Sequence, residues 1–273
     1  MVHPVADAAT KKTLKLLWSD EFNGKKGSLP SSKTWSREIG GGGWGNSERQ
    51  YYTDKAANAS MDGSGRLVIT ANRISNEYAE QIGEVPGTED ILNRCSECQF
   101  TSARMKTARN LSFQYGRIEA RIKMPQGVGT WPALWLMPVE NKFGHWPRSG
   151  EIDLMEHVGR DLDTLFFCLH TEDYNHTKDT DYKKVIHIPG LTDDFHKFGL
   201  EWKEGSITYF LDDKEMVKYT KGEDGKTTSP SGWPFDEHFY LIINLAIGGK
   251  FGGEVDPSCL PQEFIVKDIK IYK

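Results

Sequence analysis

The segment GRIEARIKM, residues 116–124, is the stretch of sequence that decides the fold. From residue 117 charged and apolar residues alternate, so an extended chain turns the apolar side chains to one face and the charged ones to the other. Such alternation is typical of an antiparallel strand with one buried and one solvated face. The same alternation recurs in residues 67–72, 197–202 and 265–271.

Turn-forming residues separate these segments. The chain of 273 residues contains 27 glycines and 12 prolines, and dipeptides such as Asp62-Gly63 and Glu204-Gly205 mark turns. Many short strands joined by turns predict an all-β fold, either a sandwich of two sheets or a barrel. No change in composition divides the chain, so we expect a tail over residues 1–12 and one domain over residues 13–273.

The charge balance and the apolar runs exclude two classes of partner. The net charge is -5 and no basic block is present, whereas nucleic-acid affinity depends on Lys and Arg that neutralise phosphates. The longest apolar run, residues 239–247, is interrupted by Asn244 and is shorter than the roughly 20 residues of a spanning helix. We therefore expect neither a nucleic-acid partner nor a membrane partner.

The first residues bear on location. Residues 1–12 lack the apolar core of a signal peptide. Two alternatives stay open, an intracellular protein or a mature extracellular protein whose signal has been removed, and we expect the second. We also expect a monomer.

The chain has four cysteines, and Cys95 and Cys98 form an isolated Cys-x-x-Cys motif. A structural zinc site needs four ligands, and no second Cys or His pair stands at a suitable spacing. A thioredoxin-like motif should open a helix, but residues 99–105 have no helical pattern. The sequence favours a local disulfide or two free thiols.

The segment GEIDLMEH, residues 150–157, contains three carboxylates. In a regular strand Glu151 and Asp153 share one face, and Glu156 falls on the opposite, apolar face, where an unpaired charge is costly. A one-residue bulge at Leu154–Met155 would return Glu156 to the face of the other two acids. We therefore predict three acids in a row on one sheet face.

Such a cluster has a chemical meaning. Three crowded carboxyl groups cannot all ionise easily, which favours one protonated group beside an ionised one, and this pair of states is what a glycosidase uses. A solvated acidic strand is the alternative. Exposed strands, however, pair acids with bases across the sheet, and no Lys or Arg alternates with these acids.

Tryptophans accompany the acids along the chain. Trp131, Trp135 and Trp146, three of eight in the chain, lie within about twenty residues of the acid segment. Sugar rings have apolar faces that stack on aromatic side chains, although each tryptophan alone could equally be core. Together with the acids, they favour a carbohydrate cleft.

Several motifs in a fixed order resemble glycoside hydrolase family 16, and within it the bacterial laminarinase-like β-1,3-glucanases. The acids at 151, 153 and 156 match the family pattern Glu-x-Asp-x-x-Glu, and Met155 marks its bulged form. The further motifs are WSDEF (18–22), GWGNSERQYYT (43–53), GRIEAR (116–121), GTWPALW (129–135), NLAIGG (244–249) and PQE (261–263). The sequence departs from the family pattern at Arg49, at the pair Arg148-Ser149 and in an insert over residues 76–99. The insert has no family interpretation.

The resemblance implies a jelly-roll sandwich of two curved antiparallel sheets with a concave substrate cleft. It implies Glu151 as nucleophile, Glu156 as general acid/base and Asp153 as the residue that tunes them. The implied sugar-binding residues are Asn46 and Arg73 on the non-reducing side, Trp146 beneath the sugar next to the scissile bond, and Trp131, Trp135 and His170 near or beyond the cut.

The resemblance also implies a structural calcium ion, held by Glu21, the carbonyl of Gly65 and Asp268, since calcium prefers hard oxygen ligands. Ordinary surface acids are the alternative at these positions. No cofactor is expected for catalysis.

The implied reaction is endo-acting, retaining hydrolysis of β-1,3-glucan by double displacement, with a β-glucan polysaccharide as the partner and mixed β-1,3-1,4-glucan as a weaker substrate. Two alternatives stay open: an agarase- or carrageenase-type hydrolase of another β-linked polysaccharide, and a non-catalytic β-glucan-binding module. The GWGN loop counts against the first, and the presence of all three acids counts against the second.

Overall fold

The computed structural model describes residues 14–74, 95–223, 225 and 227–273. In chain order its strands are β1 (Leu16–Asp20), β2 (Ser36–Glu38), β3 (Gln50–Tyr52), β4 (Ala59–Met61), β5 (Leu67–Arg73), β6 (Phe100–Ser102), β7 (Arg104–Lys106), β8 (Gly116–Lys123), β9 (Thr130–Pro138), β10 (Glu151–His157), β11 (Thr164–His170), β12 (Tyr182–His187), β13 (His196–Lys203), β14 (Ser206–Leu211), β15 (Lys214–Thr220), β16 (Phe239–Ile247) and β17 (Gln262–Tyr272). Short helical turns cover Gly43–Gly45, His176–Lys178 and Pro257–Cys259, and one short helix, α1, covers Gly249–Gly252.

The strands form two sheets. The larger sheet has the order β15-β14-β13-β8-β17-β5-β6-β3, with β1 beside β17 and β4 beside β5. The smaller sheet has the order β12-β11-β10-β9-β16-β7-β2. Every strand pair in them is antiparallel except β3 with β6. The all-β fold predicted from alternation is confirmed, and of the two architectures left open it is the sandwich.

The core lies between the two sheets, and the alternating segments supply it. On β8 the side chains of Ile118, Ala120 and Ile122 are buried, and they belong to one apolar cluster with Leu134 and Leu136 of β9 in the other sheet. Each sheet thus turns its apolar face inward, and the burial of this surface stabilises the sandwich. The opposite face of the seven-stranded sheet is free to carry polar groups.

Strand β10 contains the predicted bulge. Asp153 pairs with Cys168 and Glu156 pairs with Phe166 on β11, so two residues between the acids on β10 stand opposite one residue on β11. The pairing with β9 shifts at the same point. The extra residue lies at Leu154–Met155, both of which are buried in the core. The bulge turns Glu156 to the face that carries the other two acids.

Cys95 and Cys98 form a disulfide, which confirms the local-bridge interpretation. The bridge packs against Tyr51, and Gly41 approaches the two sulfur atoms so closely that a Cβ would not fit. The disulfide therefore supports the loop that leads into the GWGN segment. Most of the insert over residues 76–99 lies outside the described residues, as does the predicted tail over residues 1–12. No helix in the described part of the chain has the length and apolar character needed to cross a membrane.

Candidate active site

The three acids lie on the face of the seven-stranded sheet that is turned away from the core. Indole N–H groups donate hydrogen bonds to two of them, Glu151 and Glu156. Trp146 Nε1 donates to Glu151 Oε2 at 2.6 Å, and Trp131 Nε1 donates to Glu156 Oε1 at 2.9 Å. Glu151 is half-buried, whereas Asp153 and Glu156 are 2% and 9% exposed. The acids thus sit in different environments, which separates their protonation behaviour.

His170 stands beside the central acid. Its Nε2 atom lies 3.2 Å from Asp153 Oδ2, and its strand neighbour across β10 is Glu151. Burial alone would lower the pKa of His170, but the contact with Asp153 and the negative charges of Glu151, Asp153 and Glu156 raise this pKa to about 10. The imidazole is therefore a cation at neutral pH and offsets part of the negative charge of the cluster.

The buried acids resist ionisation. Burial and the negative charges of Glu151 and Glu156 hold the pKa of Asp153 well above its usual range, against the opposing effect of His170. Burial raises the pKa of Glu156 as well. The charge of Glu151 adds to this rise, while His170 and the Trp131 hydrogen bond oppose it. Glu156 is therefore suited to keep a proton that it can donate.

A chain of buried hydrogen bonds runs away from the acids. Trp135 Nε1 donates to Asn244 Oδ1 at 2.8 Å, and Asn244 Nδ2 donates to the Tyr52 hydroxyl at 3.1 Å. That hydroxyl donates to Glu48 Oε2 at 3.3 Å. Trp135 of β9 is thereby joined to the loop before β3.

The Glu48 carboxyl group accepts hydrogen bonds from polar side chains in and next to the GWGN loop. It accepts from Gln50 Nε2 at 2.7 Å and from Asn46 Nδ2 at 3.4 Å. The Asn46 carbonyl also accepts from the backbone N–H of Lys250 at 2.7 Å. Burial raises the pKa of Glu48, and the hydrogen bonds from Gln50 and Asn46 oppose that rise. Asn46, predicted to bind sugar, is thus held in place by a buried carboxyl group.

Arg104 orders two indole rings on the same side of the site. Its guanidinium lies 4.8 Å from the ring centroid of Trp44 and 4.8 Å from that of Trp135, and its Nε donates to Glu38 Oε2 at 2.6 Å. Cation–π contacts of this kind stabilise the arrangement of the rings. Neither Arg104 nor Trp44 was predicted as a site residue.

His176 also approaches the site without having been predicted. Its ring centroid lies 5.3 Å from that of Trp146 and 5.2 Å from that of His170. The sequence signal would have been an Asn-His pair shortly after the strand that carries His170, which is weak by itself. Of the predicted residues, Trp131, Trp146 and His170 contact the acids, and Trp135 stands opposite Asp153 on the neighbouring strand. Their sugar-binding roles stay predictions.

Arg73, which was predicted to bind sugar, lies in the other sheet from the acids. It is exposed at the end of β5 in the ten-stranded sheet, where it stands opposite Phe100 of β6. Among the described residues it makes no hydrogen bond or ion pair with the acids or with the GWGN loop, although Phe100 also pairs with Gln50 of β3. Its predicted sugar-binding role stays a prediction.

The residues proposed for calcium are only partly suited to it. The Asp268 carboxylate is buried and accepts hydrogen bonds from Arg121, and Lys270 Nζ lies 3.6 Å from Glu21 Oε1. A Cβ on Gly65 would lie 3.1 Å from Asn23 Oδ1 and 3.7 Å from the Glu21 carbonyl oxygen, so two oxygen atoms lie close to this glycine. Oxygen ligands suit calcium, but both acidic side chains have cationic partners, and the calcium site stays a prediction.

A second group of potential ligands lies within the site. Asp153, Cys168 and His170 each place one ligand atom within 4.8 Å of the others. Burial and the charges of Glu156 and Asp153 hold the pKa of the Cys168 thiol well above its usual range, whereas metals bind the thiolate. His170 is protonated as well, so this trio is poorly suited to bind a metal at neutral pH.

Comparisons with known proteins agree with this geometry. The family described as glycosyl hydrolases family 16 matches residues 46–251. The chain is 37% identical over 267 residues to a beta-glucanase from Rhodothermus marinus, across 95% of this chain and 85% of that protein. It is 40% identical over 250 residues to a glucan endo-1,3-beta-glucosidase from Cryptopygus antarcticus, across 88% and 84% of the two chains.

The fold agrees as well. The X-ray structure of the laminarinase from Rhodothermus marinus is similar with a TM-score of 0.83 at 37% identity, over 96% of this chain and 98% of that one. The two sheets described above thus form the jelly roll that the resemblance implied. The family match begins at Asn46 of the GWGN loop and includes the acid segment. The chain belongs to glycosyl hydrolase family 16.

Proposed function

We propose that this chain is an endo-acting, retaining glycosidase that hydrolyses β-1,3-glucan of the laminarin type. The observation that carries the proposal is the bulge at Leu154–Met155, which brings Glu151, Asp153 and Glu156 to one face. Glu151 is half-buried and suits a nucleophile, whereas Glu156 is buried and suits a proton donor. Retaining glycosidases hold these two groups roughly 5–5.5 Å apart.

In the first step Glu151 attacks the anomeric carbon, and Glu156 gives its proton to the glycosidic oxygen of the departing chain. The bond from the anomeric carbon to that oxygen breaks as an ester to Glu151 forms. The Trp146 N–H holds the attacking carboxylate in one orientation. The raised pKa of Glu156 keeps its proton available until the leaving oxygen needs it.

In the second step Glu156, now ionised, takes a proton from a water molecule, whose oxygen attacks the anomeric carbon and releases Glu151. The two displacements each invert the anomeric centre, so the product keeps the starting configuration. Asp153 lies between the two glutamates along β10, and the His170 cation contacts it. They offset part of the change in charge that the cluster undergoes during the cycle.

The substrate class rests on the aromatic surface and on the relatives. Trp131 and Trp146 donate hydrogen bonds to the acids, Trp135 stands opposite Asp153, and Trp44 lies with Trp135 against Arg104. Aromatic surfaces bind the apolar faces of sugar rings. Proteins from Rhodothermus marinus and Cryptopygus antarcticus that carry glucanase names align with almost all of this chain. A β-1,3 chain coils, so a cleft built for it should accept a β-1,3 kink in mixed-linkage glucan and reject straight cellulose.

A substrate panel tests the proposal. Laminarin, barley β-glucan, carboxymethylcellulose, agarose and κ-carrageenan are incubated with the enzyme, and products are sized by chromatography. We expect a spread of oligosaccharides from laminarin, fewer from barley β-glucan and none from the other three. Activity confined to agarose or carrageenan would refute the glucan assignment, and binding without cleavage would make the chain a carbohydrate-binding module. Inverted configuration in the first product, seen by proton NMR, would refute double displacement.

We also propose that the enzyme is extracellular and monomeric. The Cys95–Cys98 disulfide supports the first point, because such bridges persist in oxidising compartments. Cys168 and Cys259 are the free cysteines of the described chain, so thiol titration of the unfolded, unreduced protein should find two thiols. Four thiols would count against an oxidising compartment. Gel filtration with light scattering tests the monomer.

A further inference from the structure

Two loops meet beside Glu151 through a pair of rings. The loop after β9 carries Trp146, and the loop after β11 carries His176. Their ring centroids lie 5.3 Å apart with the planes inclined by 37°, and His170 meets the same histidine edge-on at 5.2 Å. The three rings therefore form one cluster against the carboxylate that receives the Trp146 N–H.

The backbone that carries His176 is firmly held. The neighbouring Asn175 is fully buried, and its Nδ2 donates to the carbonyls of Thr171 at 2.9 Å and Glu172 at 3.2 Å. Its Oδ1 accepts from the backbone N–H of Thr177 at 3.1 Å. The Thr177 hydroxyl donates to the same oxygen at 2.5 Å. A buried side chain with four hydrogen bonds fixes this turn, so the backbone that carries the imidazole is held in place.

Trp146 itself is less well held. It is 37% exposed and lies in the connection between β9 and β10. A second link between the two loops, Arg148 Nε to Glu172 Oε1 at 3.2 Å, is an ion pair with both side chains exposed, and such pairs contribute little. The contact with the imidazole of His176 is therefore the main restraint that the second loop applies to the indole.

The charge state of His176 suits this contact. Burial and then the positive charge of His170 lower the pKa of His176, against weaker opposing effects of Glu151. The ring is neutral near pH 7 and brings no extra positive charge to the carboxylate. A neutral imidazole stacks on the indole as an aromatic plane.

We infer that His176 is a positioning residue for the nucleophile: its ring holds Trp146 so that the indole N–H stays on Glu151 and the indole face stays beneath the sugar next to the scissile bond. This inference rests on the proposed function. His176 acts through Trp146 and does not itself touch the reacting atoms. A misplaced donor at this position lowers the rate of the chemical step, because the attacking carboxylate loses its orientation.

Kinetics of five variants test the inference. His176→Ala should lower kcat/KM on laminarin by about 3–10-fold, with most of the loss in kcat, which is the effect expected for an aromatic pair. His176→Phe keeps a flat ring and should restore most of the activity. In a Trp146→Ala background, His176→Ala should cause no further loss, because residues that act through each other are not additive. His187→Ala, on the exposed face of β12, is the control and should match the wild type.

Three results would overturn the inference. They are wild-type kinetics in His176→Ala, equal losses in His176→Ala and His176→Phe, and an undiminished loss in the Trp146→Ala background. Near-ultraviolet circular dichroism gives a readout without substrate: His176→Ala should change the tryptophan signal of the wild type but not that of Trp146→Ala. If the wild type instead cleaves another polysaccharide of the panel, the same variants are measured on that substrate. The positioning role then stands or falls separately from the glucan assignment.

Discussion

Trp131 Nε1 lies 2.9 Å from Glu156 Oε1, so an indole of β9 donates a hydrogen bond to the carboxyl group that β10 carries beyond its bulge. This bond favours the ionised form of Glu156, whereas burial and the charge of Glu151 favour the protonated form. The balance sets the pH at which the proposed acid loses its proton.

Removal of this bond should move the basic limb of the pH profile. Trp131→Phe keeps an aromatic ring but takes away the donor, so the pKa of Glu156 should rise further. The proposed acid must be protonated in the free enzyme, hence the fall of kcat/KM at high pH should occur at higher pH in the variant. Measurement of kcat/KM on laminarin across pH checks this. A basic limb that stays in place or moves to lower pH would contradict the assignment of Glu156.

The two outer acids should respond differently to truncation. Glu151→Ala removes the nucleophile and should lower turnover by about 10⁴-fold or more. Glu156→Ala should spare the first step on aryl glycosides with excellent leaving groups, which need no protonation. Rapid-mixing kinetics with a dinitrophenyl glucoside oligomer separates the two steps, and Glu215→Ala on β15 is the control. A reversal of the two behaviours would exchange the roles.

The sequence predicted the strands and the acid face for a physical reason. Alternation decides which face of a strand is buried, and a charge that falls on an apolar face signals a bulge, as at Leu154–Met155. The contacts of Glu48 and Arg104 lacked any such signal. Tyr52 and Asn244, which meet through one hydrogen bond, are 192 residues apart, and strand order brings them together. Single polar residues in loops, such as His176, carry no periodicity that could place them.

The pairing of His170 with Asp153 predicts a pH-dependent contribution to stability. The folded pKa of His170 is raised to about 10, above its unfolded value near 6.5. Its contribution is therefore fully present below about pH 6.5 and is lost as pH rises towards 10. The destabilisation caused by His170→Gln, measured by urea unfolding, should be largest near pH 6 and smaller near pH 9.

Asp153→Asn gives the matched control for this pair. With the carboxylate gone, the further change His170→Gln should have much less effect at pH 6, since the favourable partner of the imidazolium is missing. A His170→Gln cost that does not change with pH, or that persists undiminished in the Asp153→Asn background, would show that packing rather than charge explains the effect.

The predicted calcium site can be tested by thermal unfolding. An ion that binds the folded chain near Glu21 and Gly65 should raise Tm in proportion to the logarithm of its concentration, and chelator should lower it again. Glu21→Gln should weaken this response, and Glu97→Gln, remote from these residues in the fold, should not. No difference in Tm between calcium and chelator would remove the site, in keeping with the engagement of Asp268 by Arg121.

Glu48 should support substrate binding on the GWGN side of the site although it lies away from the acids. Glu48→Ala leaves the buried donors of Gln50 and Tyr52 without their acceptor, at a cost of about 1–3 kcal/mol for each unsatisfied group. Asn46 loses the same acceptor, so binding of longer oligosaccharides should weaken. We expect a higher KM and a smaller change in kcat, because the proposed nucleophile and acid keep their own donors.

Glu48→Gln preserves the shape of the side chain and one acceptor oxygen. Its free energy of unfolding in urea and its KM should both lie between those of Glu48→Ala and the wild type. A Glu48→Ala enzyme that loses stability but keeps the wild-type KM would show that the carboxyl group supports the fold without arranging the substrate side of the loop.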